Sequence, residues 1–150
     1  MRLLTTTDNS PHSFRVLPHA ALFARAFGWD LVLLRVFDPR VDAAQEPGTT
    51  LDEATASATR RWREELRAVL ASEGIAGEAM VGLKGRGEDM HQALLRIAGE
   101  TGAAMLAMDS RGAGALRHAL LGSVAMGVVG NTQLPVMVTG GTAQPPQPAD

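Results

Sequence analysis

The sequence predicts an α/β protein built on an open five-stranded parallel sheet with helices on both faces. Two observations carry this prediction. Short apolar segments alternate five times with segments of helical periodicity along the chain. Two of the apolar segments, Leu31–Phe37 and Ala103–Met108, are almost unbroken, which is typical of parallel strands that are buried on both faces.

The composition indicates one globular domain and excludes several classes of function. The chain has 150 residues, 45% hydrophobic content, 20% charged content and a formal net charge of -2, which gives no general reason to bind nucleic acid. Because cysteine is absent, disulfides, thiol nucleophiles and cysteine-ligated metals are excluded. The four histidines lack metal-ligand spacing. We expect a cytoplasmic protein with neither a signal peptide nor a membrane span.

The first strand and the first helix are predicted close to the N-terminus. Leu3–Thr7 combines leucine with threonine, which favours a strand. Ser10 is expected to cap the following helix, and the proline after it to take the first helical position. Apolar residues then recur at three- and four-residue steps until Gly28, where the helix is expected to end. Pro18 falls inside this pattern and forfeits a helical hydrogen bond, so we expect a kink there or a helix that starts late.

The second strand leads into a long loop and a long helix. Leu31–Phe37 is the second predicted strand, and the Asp-Pro pair that follows is expected to end it. Residues 40–50 lack apolar periodicity, which predicts a long loop. Helical periodicity resumes at Leu51 with Trp62 on the apolar face, where we expect it to pack in the core, and Gly74 is expected to end the helix.

Two further strands and helices complete the predicted domain. Ala79–Leu83 is the third strand, a helix follows over residues 90–98, and Ala103–Met108 is the fourth strand. Ser123 is expected to cap a helix that runs roughly to residue 129. The last strand, residues 134–139, has a proline near its start, which favours the edge of the sheet.

The domain is expected to span residues 1–139, because the remaining residues 140–150 contain three prolines and no apolar cluster. Such a segment predicts a disordered tail. The right-handed crossover rule leaves few strand orders, and the order 3-2-1-4-5 brings Asp8, Val36 and Asp109 to one rim. In such sheets ligands bind beyond the carboxyl ends of the strands, where the winding reverses.

The loop between the fourth strand and the helix after it is the candidate ligand site. Glycines at positions 112, 114 and 122 free its backbone to turn sharply, and Ser123 follows at the start of a helix. A helix start carries unpaired N–H groups and a partial positive charge, so this loop is suited to hold phosphate. The same pattern also fits an ordinary glycine-rich connection with a capping serine.

Five segments together resemble the universal stress protein family, whose members have a Rossmann-like fold. They are residues 7–11, 33–39, 110–112, 120–124 and 134–138. Nucleotide-binding members of the family carry G-x-x-G, nine residues and then glycine with serine or threonine. Here nine residues separate Gly112 from Gly122, and Ser123 follows. Two positions depart from the family's pattern: Asp109 replaces the first glycine of the motif, and Asn9 stands where a glycine or a similar small residue is usual.

The resemblance implies an adenine-nucleotide site with or without magnesium, for which Asp8 is the candidate metal ligand. The alternative for Asp8 is capping of its own turn. The resemblance also implies a homodimer joined through residues 134–139, and no catalytic group is apparent for more than slow ATP hydrolysis. The implied nucleotide-binding residues are Thr6, Asp8, Val36, Met108, Asp109, Arg111, Gly112, Gly122, Ser123 and Val124.

Two functions from different classes therefore remain at this stage. The first is a regulatory protein that binds ATP, ADP or AMP, and the second is a dimeric stress or interaction protein that needs no nucleotide. Asp109 bears on this choice, since a carboxylate beside the phosphate chain repels it. We expect ATP to be disfavoured by Asp109, with magnesium reversing the effect and AMP less affected, unless the side chain points away.

Overall fold

The computed structural model of the chain describes residues 1–44, 47–111 and 121–147. Its five strands form one parallel sheet in the order β3-β2-β1-β4-β5, as predicted. The strands are β1 Arg2–Thr6, β2 Asp30–Phe37, β3 Glu78–Leu83, β4 Ala103–Asp109 and β5 Val136–Thr139. The helices are α1 Val16–Phe27, α2 Pro39–Asp42, α3 Leu51–Ser72, α4 Met90–Thr101 and α5 Ser123–Asn131.

The core lies on both faces of this sheet because successive strand residues point to opposite sides. In β1, Leu3 packs into a cluster with α1 and α3, while its neighbour Leu4 packs into a cluster with α4 and α5. The connection that leaves β1 therefore crosses one face, and the connection that leaves β4 crosses the other. The winding reverses between these two neighbouring strands, which opens a crevice at their carboxyl ends.

The helix after β1 starts late, as one of the two expectations for Pro18 requires. Pro11–Arg15 form a 3₁₀ turn, and α1 begins only at Val16. Pro18 then lies in the first turn of the α-helix, where an N–H group has no helical partner to lose. Ser10 occupies the capping position of the 3₁₀ turn, but its side chain makes no capping hydrogen bond, so that part of the prediction was wrong.

The predicted loop over residues 40–50 was wrong at its start, because α2 occupies Pro39–Asp42. Asp38 caps this short helix by accepting a hydrogen bond from the backbone N–H of Arg40. A proline at the first helical position fits such a start. Residues 45 and 46 lie outside the described ranges. Trp62 packs against Phe37 with ring centroids 4.7 Å apart, which confirms its place in the core.

The last strand lies at the edge of the sheet and pairs only with β4 among the described strands, as its proline predicts. Beyond it, the carbonyl of Gly141 accepts a hydrogen bond from Arg15, and that of Gln144 lies 2.8 Å from a ring nitrogen of His19. A disordered tail stays a prediction, and residues 148–150 lie outside the described ranges. None of the described helices has both the length and the hydropathy to cross a membrane.

Candidate functional site

A cavity of about 320 Å³ opens at the carboxyl ends of β1, β2 and β4. Its size falls within the range of roughly 300–1,000 Å³ that is usual for small-molecule sites. Strand ends, α4, the start of α5 and the turns after β1 and β4 all contribute to it. We call it the strand-end cavity, and its described lining is Thr6, Thr7, Asp8, Ser13, Val36, Met90, Leu94, Met108, Asp109, Ser110, Arg111, Gly122, Ser123, Val124 and Ala125.

The structure brings nearly all of the sequence-predicted site residues to this one cavity. Nine of the ten line it, and the tenth, Gly112, lies outside the described residues. Sequence reasoning missed six lining residues: Thr7, Ser13, Met90, Leu94, Ser110 and Ala125. Met90 and Leu94 belong to the predicted apolar face of α4, so their periodicity indicates core packing and gives no separate sign of a ligand wall.

The turn after β1, residues 7–13, is held by its own polar groups, and we call it the β1 turn. The hydroxyls of Thr7 and Ser13 lie 2.6 Å apart, and Ser13 also donates to the Ser10 carbonyl at 2.7 Å. Asp8 accepts the backbone N–H of Ser10 at 2.8 Å. Asp8 therefore caps its own turn, and its side chain also lines the cavity. Contact of Asp8 with a nucleotide or a metal stays a prediction.

Asn9 adopts the left-handed conformation, with φ at 67°. Its backbone N–H donates to the Thr7 hydroxyl at 3.0 Å. Asparagine tolerates this conformation better than most side chains do, and glycine tolerates it best. The departure from the usual small residue at this position therefore leaves the β1 turn in the shape that glycine would favour.

The turn after β4, residues 109–111, is built around the Asp109 carboxylate, and we call it the β4 turn. This side chain is only 2% exposed. Its Oδ2 accepts from the Arg15 guanidinium at 3.1 Å and from the Arg111 backbone N–H at 3.1 Å, and its Oδ1 accepts from the Thr139 hydroxyl at 2.6 Å. The negative charge of Asp109 is thus paired with the guanidinium of Arg15, a partner that the sequence does not indicate.

Ser110 contributes a buried polar side-chain atom to the cavity, and no described residue binds it. Its backbone is fully engaged, because its N–H donates to the Thr139 carbonyl at 3.0 Å and its carbonyl accepts from Gly122 at 2.6 Å. Its Oγ is buried and has no hydrogen-bond partner within residues 1–44, 47–111 and 121–147. Burying a hydroxyl without a partner costs about 1–3 kcal/mol, so this atom is suited to a ligand that enters the cavity.

The start of α5 supplies backbone donors to the same cavity. Gly122 is the capping residue, with φ at -66°, and Ser123 is the first helical residue. The expectation that Ser123 caps the helix was therefore wrong by one position. The first N–H groups of a helix have no intrahelical acceptor and carry a partial positive charge. Since Ser123, Val124 and Ala125 all line the cavity, this end of the helix is suited to hold an anion.

The described residues contain no group of three or more histidine, cysteine, aspartate or glutamate side chains that could hold a metal ion. Asp8 is the metal-ligand candidate from the sequence, and its carboxylate lines the cavity. Magnesium is often bound by one or two carboxylates together with phosphate oxygens and water, so Asp8 fits such a role only beside a phosphorylated ligand.

These features define the class of protein: a doubly wound α/β domain with a crevice at the switch point of its sheet. The universal stress protein family matches residues 1–140. The chain therefore belongs to the universal stress protein family. The chain is also 29% identical over 136 residues to the "Universal stress protein in QAH/OAS sulfhydrylase 3'region" of Thermus aquaticus, covering 91% of this chain and 96% of that protein.

Two solved structures with ligands share the fold. The universal stress protein from Archaeoglobus fulgidus in complex with dAMP has a TM-score of 0.62 and 23% identity, over 92% of this chain and 96% of that one. A universal stress protein in complex with cAMP has a TM-score of 0.61 and 20% identity, over 93% and 96% of the two chains. At these identities the likeness shows the fold, and the nucleotides belong to those proteins.

Proposed function

We propose that this chain is a regulatory protein that binds an adenine nucleotide in the strand-end cavity. The proposal rests on one observation. Nine residues that were chosen from the sequence line a single cavity, although they come from three strands, two turns and one helix start. That two structural relatives were solved with dAMP and cAMP supports the ligand class. A cytoplasmic location is part of the proposal.

The lining of the cavity divides into an apolar part and a polar part, as a nucleotide requires. Val36, Met90, Leu94 and Met108 supply apolar surface for a purine ring. From the family resemblance we infer that the adenine lies against the backbone of Val36. On the polar side, the start of α5 offers unpaired N–H groups to a phosphate, and the buried hydroxyl of Ser110 offers one hydrogen bond.

Magnesium would enter this site together with a phosphorylated ligand. The donor set fits that role, because Asp8 lines the cavity and phosphate oxygens would supply further oxygen ligands. The metal would supply positive charge between the carboxylate and the phosphates. We therefore expect magnesium to strengthen ATP binding more than AMP binding.

A side chain added at Gly122 tests the proposal. Gly122→Val places an isopropyl group on the cavity wall at the start of α5. AMP binding, measured by titration calorimetry at millimolar ligand, should weaken by about tenfold or more, which corresponds to roughly 1.4 kcal/mol. The matched control is Gly130→Val in the same helix, where an added Cβ meets no atom within 4 Å.

Three results would argue against nucleotide binding in this cavity. They are a wild type that binds none of AMP, ADP and ATP at millimolar concentration, a Gly122→Val variant with unchanged affinity, and equal weakening in the Gly130→Val control. The first result would favour the alternative of a nucleotide-independent interaction protein.

We further propose that the protein is a homodimer joined through residues 134–139. Strand β5 is an edge strand, and its carbonyls at Pro135 and Thr139 point toward β4. Since alternate residues of a strand direct their backbone groups to opposite sides, the N–H groups of Val136 and Val138 point outward. No described strand pairs with this outer side of β5, and an apolar edge of this kind favours pairing with a second chain.

Val136→Pro tests this interface without disturbing the pairing of β5 with β4. It removes an outward N–H group and retains a side chain of similar bulk. Val136→Thr is the matched control, because it keeps that N–H group. Light scattering should show a dimer for the wild type and for Val136→Thr, and a monomer for Val136→Pro. A monomeric wild type would refute the dimer, and a dimeric Val136→Pro would exclude this edge.

A further inference from the structure

The Asp109 carboxylate sits where three different kinds of donor converge. A guanidinium from the β1 turn region, a backbone N–H from the β4 turn and a hydroxyl from β5 all bind it, supplied by Arg15, Arg111 and Thr139. The carboxylate is 2% exposed, and it still lines the strand-end cavity. A buried negative charge of the chain therefore lies at the rim of the same cavity in which a ligand phosphate would bind.

The same three donors would suit a phosphate group. Guanidinium, backbone N–H and hydroxyl groups are common partners of phosphate oxygens. The Arg111 guanidinium lies beside Gly141, where an added Cβ would meet its Cζ at 3.0 Å, and the Gly141 carbonyl accepts a hydrogen bond from Arg15. The surroundings of Asp109 therefore resemble an anion site that is already occupied by a group of the chain itself.

We propose that Asp109 is a built-in anion that fills this position and makes the strand-end cavity selective for ligands with no more than one phosphate. This inference rests on the proposed function for the adenine part of the ligand. Asp109 holds the Arg111 N–H and the Arg15 cation, so neither is available to a second phosphate. Its own charge also repels phosphates beyond the one held by the start of α5.

The selectivity is measured by titration calorimetry in EDTA with adenosine, AMP, ADP and ATP. The wild type should bind AMP at least tenfold more tightly than ATP. Asp109→Gly opens the position, so ATP should bind about tenfold more tightly than it binds the wild type, while AMP changes less than threefold. Equal wild-type affinities for AMP and ATP, or an unchanged ATP affinity in Asp109→Gly, would overturn the proposal.

A second variant covers the case in which Asp109→Gly does not fold because Arg15 loses its partner. Asp109→Asn keeps the shape of the side chain and an oxygen acceptor, and it removes the charge. Its ratio of AMP affinity to ATP affinity should fall at least threefold relative to the wild type. An unchanged ratio would contradict the proposal.

A nucleotide-free measurement separates this proposal from the proposed function. Inorganic pyrophosphate should raise the melting temperature of Asp109→Gly, or that of Asp109→Asn, by more than that of the wild type, because the glycine variant has an open anion position and both variants lack the repelling charge. If no protein binds adenine nucleotides but pyrophosphate behaves in this way, the proposed function fails and the built-in anion stands. Equal stabilisation of wild type and variant, or of neither, would refute the built-in anion.

Discussion

The β1 turn and the β4 turn leave neighbouring strands at the same end of the sheet, and they use their polar groups differently. In the β1 turn, Thr7 and Ser13 satisfy one another, and Asp8 binds the backbone of its own turn. In the β4 turn, Asp109 reaches out to other elements, while the Ser110 hydroxyl is buried with no partner inside the described ranges. The side chains of Thr7, Asp8 and Ser13 thus bind groups within the β1 turn, whereas the β4 turn has a buried hydroxyl that could bind a ligand.

The comparison also shows that an unsatisfied hydroxyl alone does not mark a site. Ser10, in the β1 turn, likewise has a buried Oγ that no described residue binds, but Ser10 does not line the strand-end cavity. Ser110 combines both properties. The two turns therefore differ in where the hydroxyl without a described partner lies: that of Ser110 belongs to the cavity lining, and that of Ser10 does not.

The largest effect should follow from separating the two turns. Arg15 stands next to the β1 turn and binds Asp109 of the β4 turn at 3.1 Å. Arg15→Met leaves a buried carboxylate without its cation, so the free energy of unfolding should fall by about 3 kcal/mol, the low end for breaking a buried pair. Urea unfolding measures this, with Arg63→Met, an exposed position of α3, as the control. A loss below about 1 kcal/mol for Arg15→Met would mean that the two turns are not joined by this pair.

A pair of serine variants sharpens the contrast between the turns. Ser13→Ala removes a hydroxyl with two partners, so the free energy of unfolding should fall by about 1 kcal/mol. Ser110→Ala removes a hydroxyl with none, so stability should hold or rise slightly, while AMP binding should weaken about fivefold for the lost hydrogen bond. Chemical unfolding and calorimetry on both variants decide the matter. Equal stability losses would abolish the contrast.

A smaller, pH-dependent effect is expected at the turn after β3, where the Glu88 carboxylate accepts hydrogen bonds from the backbone of its own turn and from Arg96 of α4. Hydrogen bonds from the Arg96 guanidinium and from the Gly85 backbone N–H lower the pKa of Glu88 to about 2. Because its pKa is lower in the folded state, Glu88 stabilises the fold at pH values above its ordinary pKa of 4.5. This stabilisation is lost as the pH falls toward 2. Glu88→Gln should therefore have a lower urea midpoint than the wild type at neutral pH. The gap should close between pH 4.5 and pH 2, and a pH-independent gap would contradict this origin.

The sequence was sufficient for the sheet because the determinants of its strands are local. Unbroken apolar runs such as Leu31–Phe37 and stop signals such as Gly28 act within a few residues of themselves. The strand order then follows from the crossover rule. The exact ends of the helices depend on more than residue type. Ser123 was expected to cap α5, but Gly122 takes the capping position and Ser123 is the first helical residue, because glycine is also a common capping residue.

The candidate site divides in the same way. Its location followed from the motif, and nine of its residues meet in one cavity. The state of Asp109 could not be predicted, because its ion-pair partner lies 94 residues away in the sequence and only the fold brings the two together. The sequence also gives no sign that the Ser110 hydroxyl is buried without a partner among the described residues, because this depends on the residues that the fold packs around it.

The central claim, that an adenine nucleotide enters the strand-end cavity, is tested most directly by NMR with methyl-labelled methionine. Met90 and Met108 line the cavity, while Met1 and Met126 are 77% and 61% exposed and serve as internal controls. On titration with AMP to millimolar concentration, the methyl signals of Met90 and Met108 should shift and saturate together, and those of the controls should stay in place. No shift at Met90 and Met108, or shifts confined to other methionines, would contradict the account.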